Sequence, residues 1–198
     1  MTARNTLLRY GSVAMTFHWT IAALIITNIG LGLWFGEFMS RQDALLYPVV
    51  QIHKSIGLTV LVLSLLRLGW RLINPVPPLP RGMSPVLRVL AHLSHFGLYF
   101  LMIVIPLTGW LLVSASPLGN PTNYFWLFNW PNLPFFTGMT RAALHPLHEL
   151  FGESHVVLAW TSIAAVLLHI GAALYHHFLR RDDVLKRMLP GTEVNDLA

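Results

Sequence analysis

The sequence predicts an all-α fold, an integral membrane four-helix bundle with both termini on the cytoplasmic side. Composition is the first sign. Of 198 residues 55% are hydrophobic and 11% charged, against about a quarter charged in ordinary soluble domains, and mean hydropathy is +0.59. Four continuous apolar runs also reach the roughly 20 residues a membrane-crossing helix needs. These runs lack the alternating pattern of an outer-membrane barrel. Finally, the 13 Lys and Arg fall unevenly on the two sides that four crossings define.

The first expected span runs from about Ala14 to Phe38 and is uncharged between Val13 and Gly36. Its apolar core exceeds the 7–15 residues typical of a signal-peptide core, and no A-x-A-like site follows. Gly32 and Gly36 make a small-xxx-small pair suited to close helix contact. The second span, about Gln51 to Ile73, carries Lys54 at one end and Arg67 and Arg71 at the other, where long side chains can reach headgroups. The third, about Val89 to Ala115, contains Pro106, which should kink it. The fourth, about Ser154 to Leu179, is free of charge. No soluble domain is expected, so residues 1–198 form a single membrane domain.

Arg4, Arg9, Arg67, Arg71, Arg81, Arg88, Arg180, Arg181, Lys186 and Arg187 fall on one side, and Arg41, Lys54 and Arg141 on the other. The positive-inside rule puts the first group in the cytoplasm. The net charge of +5 is therefore a topology signal and not a nucleic-acid surface. The loop from Pro117 to Pro146 is rich in Pro, Asn and aromatics. It reads either as a lid along the outer interface or as an interfacial anchor.

Ten His and no Cys define the chemistry. Without Cys there is no disulfide, thiolate metal site or covalent c-type haem. An intramembrane His is a functional candidate by default. His18 lies near the cytoplasmic end of the first helix and His53 near the outer end of the second. His155 and His169, 14 residues apart, differ by about 40° in phase and roughly 21 Å in height on the fourth helix. One helix face thus offers two imidazoles at two depths. The pairs are His53 with His155 outside and His18 with His169 inside.

Two stacked bis-imidazole sites are what two non-covalent haems b require, each iron held by two neutral imidazoles from different helices. Gly30, Gly57, Gly97 and Gly171 would leave room for a flat macrocycle, or serve helix packing alone. His92 and His95 could replace a ligand, bond a propionate or satisfy each other. His148, with His145, is expected in the outer loop and is the alternative outer ligand. His176, near the phase of His169, would sit at the cytoplasmic rim, suited to a quinone carbonyl or a propionate, and His177 points elsewhere. Arg67 and Arg71 share a helix face and read as propionate partners or as snorkelling anchors. Lys54 has the same two readings on the outer side.

Five stretches carry a resemblance: T-F-H-W at 16–19, Q-I-H-K-S-I-G-L at 51–58, A-H-L-S-H-F-G-L-Y-F-L at 91–101, I-P-L-T-G-W at 105–110 and L-L-H-I-G-A-A-L-Y-H-H-F at 167–178. With R-D-D-V-L-K-R-M-L-P at 181–190, they resemble the bacterial cytochrome b561 family from about Leu8 to Gly191. The b-type cytochrome subunits of nickel hydrogenases share this superfamily. The resemblance implies a four-helix protein of the bacterial inner membrane with two haems b ligated by His18, His53, His155 and His169. It also implies electron exchange with ubiquinone near His176, and in one branch oxidation of superoxide. The family usually carries a short H-E-x-x run at the outer ligand, where this chain has H-E-L-F-G-E-S-H at 148–155.

The leading functional expectation is a di-haem carrier of single electrons between ubiquinone and superoxide or a periplasmic redox protein. A related alternative is the haem-b anchor of a larger dehydrogenase or hydrogenase complex. An alternative of another class, a His-rich metal or proton transporter, lacks Asp or Glu in the membrane core and any internal repeat.

Overall fold

Helices long and apolar enough to cross a membrane, four of them, dominate the chain in a computed structural model that describes residues 2–80, 82–119, 121–192 and 194. Arg81, counted above among the cytoplasmic cations, lies outside the described residues. The helices are α1 (Ser12–Leu33), α2 (Leu46–Leu72), α3 (Pro85–Ser114) and α4 (Arg141–Tyr175). A π-helical turn extends α1 through Trp34–Phe38, and another extends α4 through His176–Arg180. Their exposed side chains are largely apolar, among them Leu66, Phe96, Trp160 and Leu168. That is the reverse of a soluble surface and suits contact with lipid, where every backbone polar group must be satisfied within the helix.

Three helices begin earlier than their apolar runs, for local reasons. Pro48 sits in the first turn of α2, where a missing N–H costs nothing. Ser84 caps α3: its hydroxyl accepts from Leu87 N at 3.4 Å, and Pro85 occupies the first helical position, the favoured arrangement for a helix start. Thr140 caps α4 through a 3.3 Å bond from Ala143 N. The helix then runs unbroken through Pro146 and Gly152. His145 and His148 are therefore helical and not loop residues, correcting the expected start of this span near Ser154. The polar residues at 145–154 hid a helix whose apolar stripe is thin there. His145 and Glu149, one turn apart at 3.4 Å, pair along its exposed face.

The chain forms two compact units. The first comprises residues 1–21, 63–100 and 162–198 and contains nine described Lys and Arg; the second comprises 22–62 and 101–161 and contains Arg41, Lys54 and Arg141. The charge bias that orients the protein is thus a property of the first unit. Its non-helical segments are tied by backbone acceptors. Asn5 donates to Pro75 O at 2.9 Å, Trp19 to Met188 O at 2.7 Å, and buried Arg187 to Pro78 O at 2.5 Å.

In the second unit the expected outer loop is folded. Residues Thr122–Tyr124 (β1) and Phe128–Trp130 (β2) pair antiparallel with Asn123 opposite Asn129. The turn between them holds Phe125 and Trp126 at φ of 45° and 60°, a left-handed conformation that costs bulky residues about 1–2 kcal/mol each. Polar residues on one face of α2 offset that strain. Gln51 Oε1 accepts from Asn123 N at 3.0 Å, Ser55 Oγ from Phe125 N at 3.0 Å, and Thr59 Oγ1 meets the Tyr124 hydroxyl at 3.0 Å. The spacing i, i+4, i+8 aligns these three. Gln51 and Ser55 are buried, so the hairpin is packed against protein and is more than a flat interfacial anchor.

Candidate functional site

His53 of α2 and His155 of α4 meet in the second unit with ring centres 6.2 Å apart and planes at 78°. Each ring is held by its Nδ1. His53 Nδ1 donates to Asn28 O of α1 at 3.1 Å. His155 Nδ1 lies 3.1 Å from both Ile105 O and Thr108 Oγ1 of α3. The Thr108 hydroxyl donates to Ile105 O at 2.7 Å, so its oxygen is free to accept from the imidazole. Carbonyls at Nδ1 fix the tautomer with a lone pair on Nε2, the usual outer support of a ligating histidine.

Glycines define the space around these rings. A Cβ at Gly32 would stand 3.3 Å from His53 Cε1, and one at Gly109 would stand 3.2 Å from His155 Cε1. Phe35 packs edge-on against His53 at 5.1 Å. The Gly32 and Gly36 pair was expected to permit close helix contact; Gly32 of α1 does so toward His53 of α2, while Gly36 has nothing within 4 Å. Added methyls at Gly30, Gly97 and Gly171 would likewise meet nothing within 4 Å, and one at Gly57 only Asn28 Nδ2 at 3.7 Å. His148 Nδ1 donates to Leu112 O at 3.0 Å, a grip like that on His155 two turns further along α4.

In the first unit His18 of α1 and His169 of α4 have ring centres 6.2 Å apart with planes at 62°. His95 of α3 is also close, 5.9 Å from His169, while His92 is exposed. Arg67 Nη2 donates to His18 Nδ1 at 3.0 Å. The guanidiniums of Arg67 and Arg71 lie 5.3 and 5.7 Å from the Tyr99 ring, and neither meets a carboxylate among the described residues.

These donor sets fit haem. Two imidazoles on opposite sides of one metal, bonded at about 2.0 Å with ring centres about 1.1 Å beyond the nitrogens, stand about 6.2 Å centre to centre. Both pairs have that separation. Arg67 and Arg71 supply uncompensated cations suited to the two propionates. Sequence reasoning missed the supporting residues Asn28, Thr108 and Gly109, because a backbone carbonyl grip leaves no side-chain signature. The small residue beside Trp110 was the visible hint.

A helical membrane protein that holds pairs of imidazoles from different helices, with no thiol, defines a b-type membrane cytochrome. The family model described as prokaryotic cytochrome b561 matches residues 9–191, and the chain belongs to that family. It is 35% identical over 190 residues to Cytochrome b561 homolog 2 of Escherichia coli (strain K12), covering 96% of this chain and 95% of that one. It is 28% identical over 184 residues to "Probable superoxide oxidase CybB" of Yersinia pestis, covering 92% and 96%. Cytochrome b562 of Cereibacter sphaeroides is 29% identical over 187 residues, covering 91% and 94%. The protein is thus a haem-b-binding electron-transfer protein, multi-pass in the bacterial inner membrane.

Proposed function

We propose that the chain holds two haems b, one between His53 and His155 and one between His18 and His169, and passes single electrons across the membrane to or from ubiquinone. The observation that carries this reading is the 6.2 Å ring separation found in both pairs. A haem held by the two imidazoles of either pair would supply a one-electron couple. Asn28, Ile105 and Thr108 orient the outer pair by holding Nδ1. At the inner pair a neutral His18 accepting from Arg67 keeps its proton on Nε2. Ligation there therefore calls for Arg67 to release Nδ1, and a propionate beside Arg67 and Arg71 gives the guanidinium its new partner. The 5.9 Å spacing of His95 from His169 supports a second inner arrangement in which His95 replaces His18.

Superoxide is the donor that one relative's name suggests, and a periplasmic redox protein serves the same role. Ubiquinone belongs on the basic side, near His176. A reduced-minus-oxidised spectrum with a haem assay tests the core of the proposal: two low-spin haems per chain are expected. His53→Ala and His155→Ala should each lose one, as should His18→Ala. A colourless protein that binds zinc would overturn the reading, and retention of two haems by His18→Ala with loss of one by His95→Ala would reassign the inner ligand. Mixing the reduced protein with a soluble ubiquinone analogue, and the oxidised protein with superoxide, identifies the partners.

A further inference from the structure

The two histidine pairs are supported in opposite electrostatic senses. In the second unit the groups that meet Nδ1 are acceptors. Asn28 O takes the His53 N–H at 3.1 Å, and the His155 N–H is shared between Ile105 O and Thr108 Oγ1, both at 3.1 Å. Thr108 is a buried hydroxyl in the C-terminal half of the apolar helix α3. Its own hydrogen goes to Ile105 O at 2.7 Å, the local back-bond that satisfies a helical threonine by itself. The contact of its oxygen with an imidazole is an addition to that bond.

In the first unit the sign is reversed. His18 Nδ1 receives a hydrogen from Arg67 Nη2 at 3.0 Å. The Arg67 and Arg71 guanidiniums gather on the Tyr99 ring at 5.3 and 5.7 Å, with no carboxylate on either among the described residues. The wider charge repeats the contrast. The first unit carries nine described Lys and Arg against Asp182 and Asp183, a formal +7. The second carries three against Glu37, Asp43, Glu149 and Glu153, a formal −1. A summed distribution of this kind sets the potential over a whole region and not only at a contact.

We infer that the haem between His53 and His155 is the lower-potential one of the two, and that Thr108 is a positioning residue that sets its potential through His155. The inference rests on the two-haem reading above. An acceptor on Nδ1 draws the proton away from the ring and raises the basicity of Nε2. A more basic imidazole stabilises ferric iron over ferrous, and hydrogen bonding behind the ligand is one of the levers by which a protein sets a haem potential. Nearby cations act the other way. The reduced haem carries one positive charge fewer, so Arg67 and Arg71 favour it. Where a propionate neutralises them, they still raise the potential above that of the same propionate unpaired. The two effects add, lowering the outer couple and raising the inner one. An electron that arrives at the outer pair then moves downhill toward the basic side.

Potentiometric titration of the purified holoprotein, followed by visible spectra and electron paramagnetic resonance, tests both statements. Two one-electron waves are expected. His53→Ala and His155→Ala should each abolish the lower wave and keep the upper. Thr108→Val keeps the shape of the side chain without its hydroxyl. It should raise the ferrous-to-ferric ratio at the lower midpoint about fivefold, or about 40 mV at 59 mV per tenfold, and leave the upper wave in place. Thr108→Ser should restore the wild-type midpoint. A merely structural role would change haem retention or thermal stability without this selective shift and rescue. If Thr108→Val sheds the outer haem, Thr108→Ala leaves the ring more room and reads the same shift. Loss of the upper wave in His53→Ala and His155→Ala overturns the ordering. An unmoved lower wave in the haem-bearing Thr108→Val or Thr108→Ala protein, or an equal shift in Thr108→Ser, overturns the part given to Thr108. One haem per wild-type chain overturns the two-haem reading itself, and the haem assay shows that before any titration.

Discussion

Replacing Gly109 by alanine isolates the support of one imidazole from the stability of the whole chain. The new methyl would stand 3.2 Å from Cε1 and 3.4 Å from Nδ1 of His155, whereas unstrained carbon contacts lie at about 3.5–4.0 Å. The ring must retreat by about 0.3–0.5 Å. Its 3.1 Å bonds to Ile105 O and Thr108 Oγ1 then stretch past the roughly 3.2 Å limit of good geometry. The loss is about 1 kcal/mol. Removing a helical glycine returns about 0.5–1 kcal/mol, so the two effects nearly cancel in unfolding. They do not cancel at the haem. The near-perpendicular rings of His53 and His155, at 78°, should give a strongly anisotropic low-spin resonance. On the two-haem reading proposed above, Gly109→Ala should alter that signal and move one midpoint potential by up to about 40 mV, the one-electron equivalent of 1 kcal/mol. Potentiometric titration followed by electron paramagnetic resonance reads both, and Gly69→Ala, whose methyl meets nothing within 4 Å, serves as the control. If Gly109→Ala matched the control in both signals, the contact would not position His155 and the reasoning about that ring would be wrong.

If the chain holds two haems as proposed, His148→Ala should keep both while His155→Ala loses one, read as haem per chain; the opposite result would exchange their roles. Arg67→Gln should weaken retention of the inner haem and lower its potential, because a nearby cation favours the reduced form, and redox titration checks the sign. Gln51→Leu leaves the Asn123 N–H without its acceptor. It should cost about 1–3 kcal/mol and open the 122–130 hairpin to protease, measured by thermal unfolding in detergent and limited proteolysis. Arg187→Ala removes a charged donor from Pro78 O and should destabilise the first unit by about 1.5–3 kcal/mol without changing the outer haem signal.

Much of this molecule was legible in its sequence because a bilayer imposes simple rules. Apolar length gave the four crossings, and the basic bias coincides with the first of the two compact units. Helical phase put His155 and His169 on one face of the fourth helix and depth matched them to His53 and His18, whose ring centres lie 6.2 Å from theirs. The hairpin was not legible. Phe125, Trp126 and Trp130 looked like interfacial aromatics, and a tight turn ordinarily announces itself through Asn-Gly or Asp-Gly. Its signal lay elsewhere, in the polar stripe Gln51, Ser55 and Thr59 on an otherwise apolar helix. The start of α4 was hidden for a related reason: Pro146 and Gly152 both read as breaks, yet Thr140 caps a helix that carries through them. His95 sits near His169 by tertiary packing, which no spacing rule within one helix reveals.

The hairpin also sets a timetable for assembly. Asn123 lies 72 residues beyond Gln51, so α2 enters the bilayer well before its polar stripe can be covered. Two members of the stripe can wait: the Ser55 hydroxyl reaches Gln51 O at 2.7 Å and the Thr59 hydroxyl reaches Ser55 O at 2.8 Å, bonds that need nothing but the helix itself. The Gln51 amide has no such shelter and completes its bond when the segment after α3 arrives. The hairpin can therefore close on α2 only after the segment that follows α3 has been made.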